Sequence, residues 1–212
     1  MIKHICFDLD GTLVDSRDTI LQSTKAALDQ LKISYSIPED SFTNMIGKHF
    51  VDIFKELKID VKDFEKFITI YKGLYFDFIN LSHLYPNAEE TLNHLNNSQI
   101  KVSLLTTKVQ EQAEKIIDHF NLRSPFDYIM GRRDGLAHKP SPEPLLFICK
   151  ELNLNSSETI MIGDTELDIQ CGKNAGSKTC GVIYGYRTQN QLEKEKPDFL
   201  ISGLNELVNV LA

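Results

Sequence analysis

From Ile100 onward, short apolar runs of strand length alternate with longer segments whose apolar residues recur at helical spacing. The runs are Ile100–Thr106 (IKVSLLT), Tyr128–Met130 (YIM), Thr159–Gly163 (TIMIG) and Lys178–Ile183 (KTCGVI). Between them, Val109, Ala113, Ile116, Ile117 and Phe120 form one helical stripe, and Leu145, Leu146, Cys149 and Leu152 form another. Strands separated by whole helices cannot close as tight hairpins, so this order predicts a parallel sheet with helices on both faces, an α/β fold. Ile2–Phe7 is the expected first strand, buried and central.

Residues 16–82 break the alternation. Phe50, Ile53, Phe54 and Leu57 make one stripe, and Phe64, Phe67, Ile68, Tyr71, Leu74, Tyr75 and Phe78 a longer one, with no convincing strand among them. The expected arrangement is an all-helical insert over 16–82 in a core built from 1–15 and 83–212. The aromatic stripe reads as a core-facing seam rather than a ligand-stacking surface. LYPNAEETL (Leu84–Leu92) has Pro and Asn as turn residues before a new helix and marks the return to the core.

A chain of 212 residues, 42% hydrophobic and 25% charged, is long and apolar enough to bury a core. Its net charge of -7, with no Lys/Arg block, argues against nucleic acid or an anionic membrane as partner and favours small ligands. Cys6, Cys149, Cys171 and Cys180 lie far apart without a C-x-x-C pair, which points to reduced, buried thiols in cytoplasm. No apolar stretch reaches the roughly 18 residues of a membrane span. MIKHICFDLD meets acid too early for a signal peptide.

Candidate reactive groups fall at strand ends. Asp8 and Asp10 follow the first strand in CFDLDGTLVDS, Thr106 ends the second, and Asp164 and Asp168 follow TIMIG. Lys139 lies in HKPSPEP, a Pro-bounded loop ahead of a helix. Open parallel sheets bind ligands beyond the carboxyl ends of their strands, where these residues gather. Clustered carboxylates repel unless neutralised, and for a set of hard oxygens the natural neutraliser is Mg²⁺, which leaves positions for a phosphate oxygen. One carboxylate of the first pair can ligate metal and attack while its neighbour moves a proton.

DLDGTLVDS resembles the first motif of the haloacid dehalogenase superfamily. Thr106 in LLTTK resembles the second motif, Lys139 the third, and IGDTELDI (Ile162–Ile169) the fourth, all in order, and the helical insert is similar to the family's C1 cap. The likeness covers nearly the whole chain. It implies a Rossmann-like sheet domain in which Asp8 attacks phosphorus and becomes an aspartyl phosphate. Asp10 would protonate the leaving oxygen and then activate water. Thr106 would hydrogen-bond a phosphoryl oxygen with Thr107 beside it in the substrate site, and Lys139 would balance the charge. Mg²⁺ would be held by the Asp8 carboxylate, the Asp10 backbone carbonyl and Asp164, with Asp168 reaching it through water or Lys139. The resemblance also places Gly47 and Lys48, in MIGKHFVDIF, at the substrate entrance.

YPNAEETLNHL and HKPSPEPLL are most similar to the phosphoglycolate phosphatase and pyrophosphatase branch, where YPG is commoner than YPN; Asn also tolerates the left-handed turn. The implied activity is hydrolysis of a small phosphorylated metabolite by a monomer or homodimer. An inorganic pyrophosphatase and a phosphosugar mutase use the same acids, although no Arg-bearing cap loop of the mutase kind occurs near Gly47. Outside catalysis, the competing readings are a phospho-accepting signalling module and a binding protein that has lost activity. Asp15 and Ser16 read as helix caps, the histidines as structural, and Arg132 and Arg133 as a solvated loop or a second anion contact.

Overall fold

The structure, a computed structural model, describes residues 1–211. In chain order the first elements are β1 (His4–Phe7), β2 (Val14–Asp15), α1 (Arg17–Gln30), α2 (Glu39–Thr43), α3 (Phe50–Glu56), α4 (Phe64–Tyr75) and β3 (His83–Leu84). There follow α5 (Ala88–Asn97), β4 (Lys101–Val109), α6 (Gln110–His119), β5 (Tyr128–Arg132), α7 (Glu143–Glu151) and β6 (Thr159–Gly163). The chain continues through α8 (Glu166–Asn174), β7 (Lys178–Val182), α9 (Gln189–Lys194), β8 (Phe199–Ile201) and α10 (Leu207–Leu211).

Two compact units emerge: Met1–Val14 together with the chain from Leu84 onward, and Asp15–His83. The first is built on a six-stranded parallel sheet in the order β5-β4-β1-β6-β7-β8. β1 is buried along its whole length and lies between β4 and β6. Side chains alternate along a strand, so both faces need cover. Cys6 packs with Leu145, Ile148 and Cys149 of α7 and Cys171 of α8, while Ile5 and Phe7, fully buried, point the other way. Phe7 stands opposite Leu104 on one side and Ile162 on the other. Phe7, Leu104 and Ile162 are therefore level, and the residues just beyond them share one edge of the sheet.

His4 opens β1 with no exposure, its ring nitrogens hydrogen-bonded to Ser103 Oγ on β4 (2.8 Å) and Thr159 Oγ1 on β6 (3.0 Å). Burial lowers its pKa to about 4. This is a neutral, structural histidine that ties three strands together.

The second unit is helical. Phe67, Tyr71 and Tyr75, four residues apart on α4, are buried, and Phe54 of α3 meets Phe67 edge to face at 4.8 Å. Asp63 caps α4 by accepting from the Lys66 N–H at 3.0 Å. Phe78 lies beyond the helix that the stripe was expected to continue. Ser16 occupies the N-cap position of α1, but its hydroxyl makes no capping bond; the Asp15 carboxylate accepts from the Arg17 N–H instead.

Differences from the sequence-based expectation concern short elements and the extent of β4. β8 escapes notice because FLI is too short to show alternation, and β4 runs past Thr106 to Val109 through an irregular segment. β2 and β3 are short strands at the two crossings between the units. No helix among the described residues is long and apolar enough to cross a membrane.

Candidate active site

Directly after β1, the Asp8 N–H donates to Ile162 O at 2.8 Å, extending the sheet by one bond before the chain turns. The turn closes when the N–H groups of Leu13 and Val14 donate to Leu9 O and the Gly11 N–H donates to Val14 O. Gly11 has φ +83, and a Cβ there would overlap the Asp164 carboxylate. The glycine thus satisfies two demands at once, a left-handed backbone and close approach to an acid.

Thr106 is placed by a bulge. β4 and β5 pair at Leu105 with Met130 and next at Val109 with Arg132, so Thr106, Thr107 and Lys108 stand against Gly131 alone. Bulges of this kind redirect side chains near functional sites. The bulge is braced: Gln110 Oε1 accepts from the Gly131 N–H (2.8 Å) and from Arg133 Nε (3.0 Å), and Arg133 also donates to the Tyr128 hydroxyl (3.1 Å). Arg133 is thereby engaged in holding β5 to the start of α6, in place of the solvated loop or anion contact expected of it.

The fourth motif folds as a strand end and a capped helix. Thr165 caps α8, and Asp168 Oδ2 accepts from the Thr165 N–H (3.0 Å) and hydroxyl (2.6 Å), a capping box that fixes the carboxylate. Its other oxygen, Oδ1, accepts from Lys139 Nζ at 2.5 Å. Lys139 Nζ also donates to Asp8 Oδ1 (2.6 Å) and to Leu105 O (3.0 Å). The ammonium, 3% exposed, therefore bridges the first and fourth motifs. Asp164 Oδ2 accepts from the Tyr186 N–H at 2.7 Å, while its Oδ1 is buried with no hydrogen-bond partner among the described residues.

Carboxylate oxygens of Asp8, Asp164 and Asp168 lie within 4.8 Å of one another. Three buried acids against one ammonium leave an uncompensated negative charge, which a low-dielectric interior penalises. Burial, opposed by Lys139 and reinforced by Asp168 and Asp10, pushes the Asp8 carboxyl up to about 7. Burial also raises Asp164 well above the ordinary carboxylate value, with Asp168 and Asp8 adding to the shift. Burial works against the Lys139 charge, yet Asp168 and Asp8 outweigh it and hold the ammonium above its usual pKa. A hard divalent cation answers both the charge and the orphaned Asp164 Oδ1, so these residues fit Mg²⁺.

The structure thus brings Asp8, Lys139, Asp164 and Asp168 into one buried cluster. The Asp10 side chain instead makes an ion pair with Lys108 Nζ at 3.2 Å. Thr106 is buried, its Oγ1 accepting from the Lys108 N–H at 3.3 Å, and Thr107 is half-buried beside it. Gly47 and Lys48 belong to the second unit, where Gly47 has φ +100 and Lys48 Nζ donates to Glu56 at 3.1 Å. Sequence reasoning missed Lys108, Gly185 and Tyr186. Lys108 was legible, standing two residues after the candidate Thr106; the other two were not, because only the fold carries the segment after β7 to Asp164.

Residues 5–182 match the haloacid dehalogenase-like hydrolase family. The chain is 32% identical over 211 residues to a phosphoglycolate phosphatase from Aquifex aeolicus, covering 99% of this chain and 97% of that one. It is also 32% identical to the pyrophosphatase PpaX of Halalkalibacterium halodurans, over 99% of this chain and 97% of that one. Among solved structures, a predicted phosphoglycolate phosphatase from Haemophilus somnus 129pt superposes with a TM-score of 0.90 at 26% identity, covering 100% of this chain and 98% of that one.

Proposed function

Because the chain belongs to the haloacid dehalogenase-like hydrolase family, we propose that it is a Mg²⁺-dependent phosphatase acting on a small phosphorylated metabolite through an aspartyl-phosphate intermediate. The observation that carries the reading is the buried cluster in which Lys139 joins Asp8 to Asp168 while Asp164 keeps an unpartnered oxygen.

In this reading an Asp8 carboxylate oxygen attacks phosphorus in line, forming an O–P bond as the bond to the leaving oxygen breaks. Asp10 gives that oxygen its proton. Asp10 then takes a proton from water, whose oxygen attacks the phosphoryl group, releasing inorganic phosphate and restoring Asp8. Lys139 holds Asp8 in place and offsets charge as the phosphoryl group transfers. Thr106 supplies a hydroxyl at the β4 bulge for a phosphoryl oxygen, with Thr107 next to it. Asp8, Asp164 and the Asp10 carbonyl would hold Mg²⁺, with Asp168 acting through water or Lys139. The cation would neutralise the acids and polarise the phosphoryl oxygens when bound.

The helical unit is read as a cap that selects substrate, with Gly47 and Lys48 at the entrance. Phosphoglycolate is the leading substrate, supported by the relative of that name; relatives named pyrophosphatase PpaX support pyrophosphate as the second reading. Four buried free thiols support a cytoplasmic setting. The test is phosphate release from a panel of phosphomonoesters and pyrophosphate, with Mg²⁺, with EDTA, and with Asp8→Asn. Turnover that needs the metal and disappears in Asp8→Asn is expected, and the preferred compound decides between the two substrates. Turnover that survives Asp8→Asn overturns the mechanism.

A further inference from the structure

We propose that the Arg187–Glu166 ion pair is a positioning clasp that turns Asp164 toward the cation; the inference rests on the divalent-cation reading above. Arg187 Nε and Nη2 grip the two Glu166 oxygens at 2.8 and 3.2 Å, and the Arg187 side chain is 2% exposed. Glu166 is the first residue of α8, two positions from Asp164 and two from Asp168. Arg187 adjoins Tyr186, whose N–H occupies Asp164 Oδ2. Next to Tyr186, Gly185 lies so close that a Cβ there would overlap the Asp164 side chain and sit 2.5 Å from Gly11 O. The segment Gly185–Arg187 is therefore pressed on the junction between β6 and α8 at two points, the Asp164 carboxylate and Glu166.

Stability alone is a poor reason for this pair. Burying a guanidinium is costly, and Nη1 of Arg187 is buried with no hydrogen-bond partner among the described residues. What the clasp secures is the Tyr186 N–H, which commits Oδ2 of Asp164 and leaves Oδ1, buried and without a hydrogen-bond partner among the described residues, for the cation. Outer groups that orient a ligand carboxylate typically account for about 10–100-fold in metal affinity.

The sign of the effect separates positioning from simple electrostatics. Arg187 is a cation beside a cation site, so through charge alone its removal would tighten Mg²⁺ binding. The clasp requires the opposite. Calorimetric titration of Mg²⁺ into the full chain is expected to show affinity weakened about 10-fold or more in Arg187→Met. Hydrogen exchange at the Tyr186 amide should lose protection in the same variant. Arg187→Lys, which keeps the charge but not the two-pronged grip, should weaken binding as well, and it carries the test if the Met variant does not fold. Affinity equal to or tighter than wild type in either folded variant overturns the proposal. A wild-type chain that binds no Mg²⁺, behaving like Asp164→Asn, overturns the cation reading and this inference with it; loss confined to the clasp variants cannot arise that way.

Discussion

Lys139→Met removes the charge of the bridging ammonium while keeping most of the side chain's length. It deletes hydrogen bonds to Asp8 Oδ1 at 2.6 Å, Asp168 Oδ1 at 2.5 Å and Leu105 O at 3.0 Å, all buried. Breaking a buried ionic network from one side costs about 3–5 kcal/mol, because the remaining charges are left uncompensated. With a urea slope near 2 kcal/mol/M, the midpoint should fall by about 2 M at neutral pH in EDTA.

The pH dependence of that deficit is the sharper signature. Asp8 stands at about 7 with Lys139 beside it, and losing the cation raises it further. A carboxyl whose folded pKa exceeds its unfolded value contributes stability that is full below the unfolded pKa and is lost as pH rises through the folded one. Below about 7, Asp8 is protonated in both chains, so its share of the deficit opens only above that pH. Urea unfolding followed by far-UV circular dichroism at pH 6 and pH 8.5 should give the larger deficit at pH 8.5. A deficit below about 1 kcal/mol, or one equal at the two pH values, would mean that Lys139 does not offset the charge on Asp8.

Asp164→Asn should be more stable than wild type in EDTA above neutral pH, since it removes a buried carboxylate that burial already disfavours as an anion. The same substitution should abolish stabilisation by Mg²⁺, worth about 2.7 kcal/mol in wild type at 100 times Kd, and thermal unfolding with and without the metal measures both effects. His4 has its folded pKa lowered from 6.5 to about 4, so its contribution is full above pH 6.5 and fades as pH falls toward 4. The drop is about 3 kcal/mol, and a His4→Asn chain with an unchanged acid slope in urea unfolding would contradict it. Gly11→Ala forces a Cβ on the Asp164 carboxylate at a left-handed backbone position; Mg²⁺ affinity matching wild type would show that this contact yields cheaply.

Legible in the residue order were the α/β class, the parallel sheet with β1 at its centre, and the strand ends at which Asp8 and Asp164 stand; Thr106 was expected at such an end, but β4 runs on through a bulge to Val109. These follow from local pattern: apolar period, helix length, and polar residues where an apolar run stops. Asp168 was legible for the same reason, since TELD reads as a capped first turn and the capping box sets its direction. The pairings were decided only by tertiary structure. Lys139 is separated from Asp8 by most of the chain, and its choice of Asp8 and Asp168 as partners depends on the level register of β1, β4 and β6. The Asp10–Lys108 pair needs the bulge in β4, and the Tyr186 N–H and Arg187 reach the Asp164 region because β7 lies beside β6. Local periodicity encodes which residues face inward, but electrostatic partners are set by distances between strands that are remote in sequence, and those distances exist only once the sheet has formed.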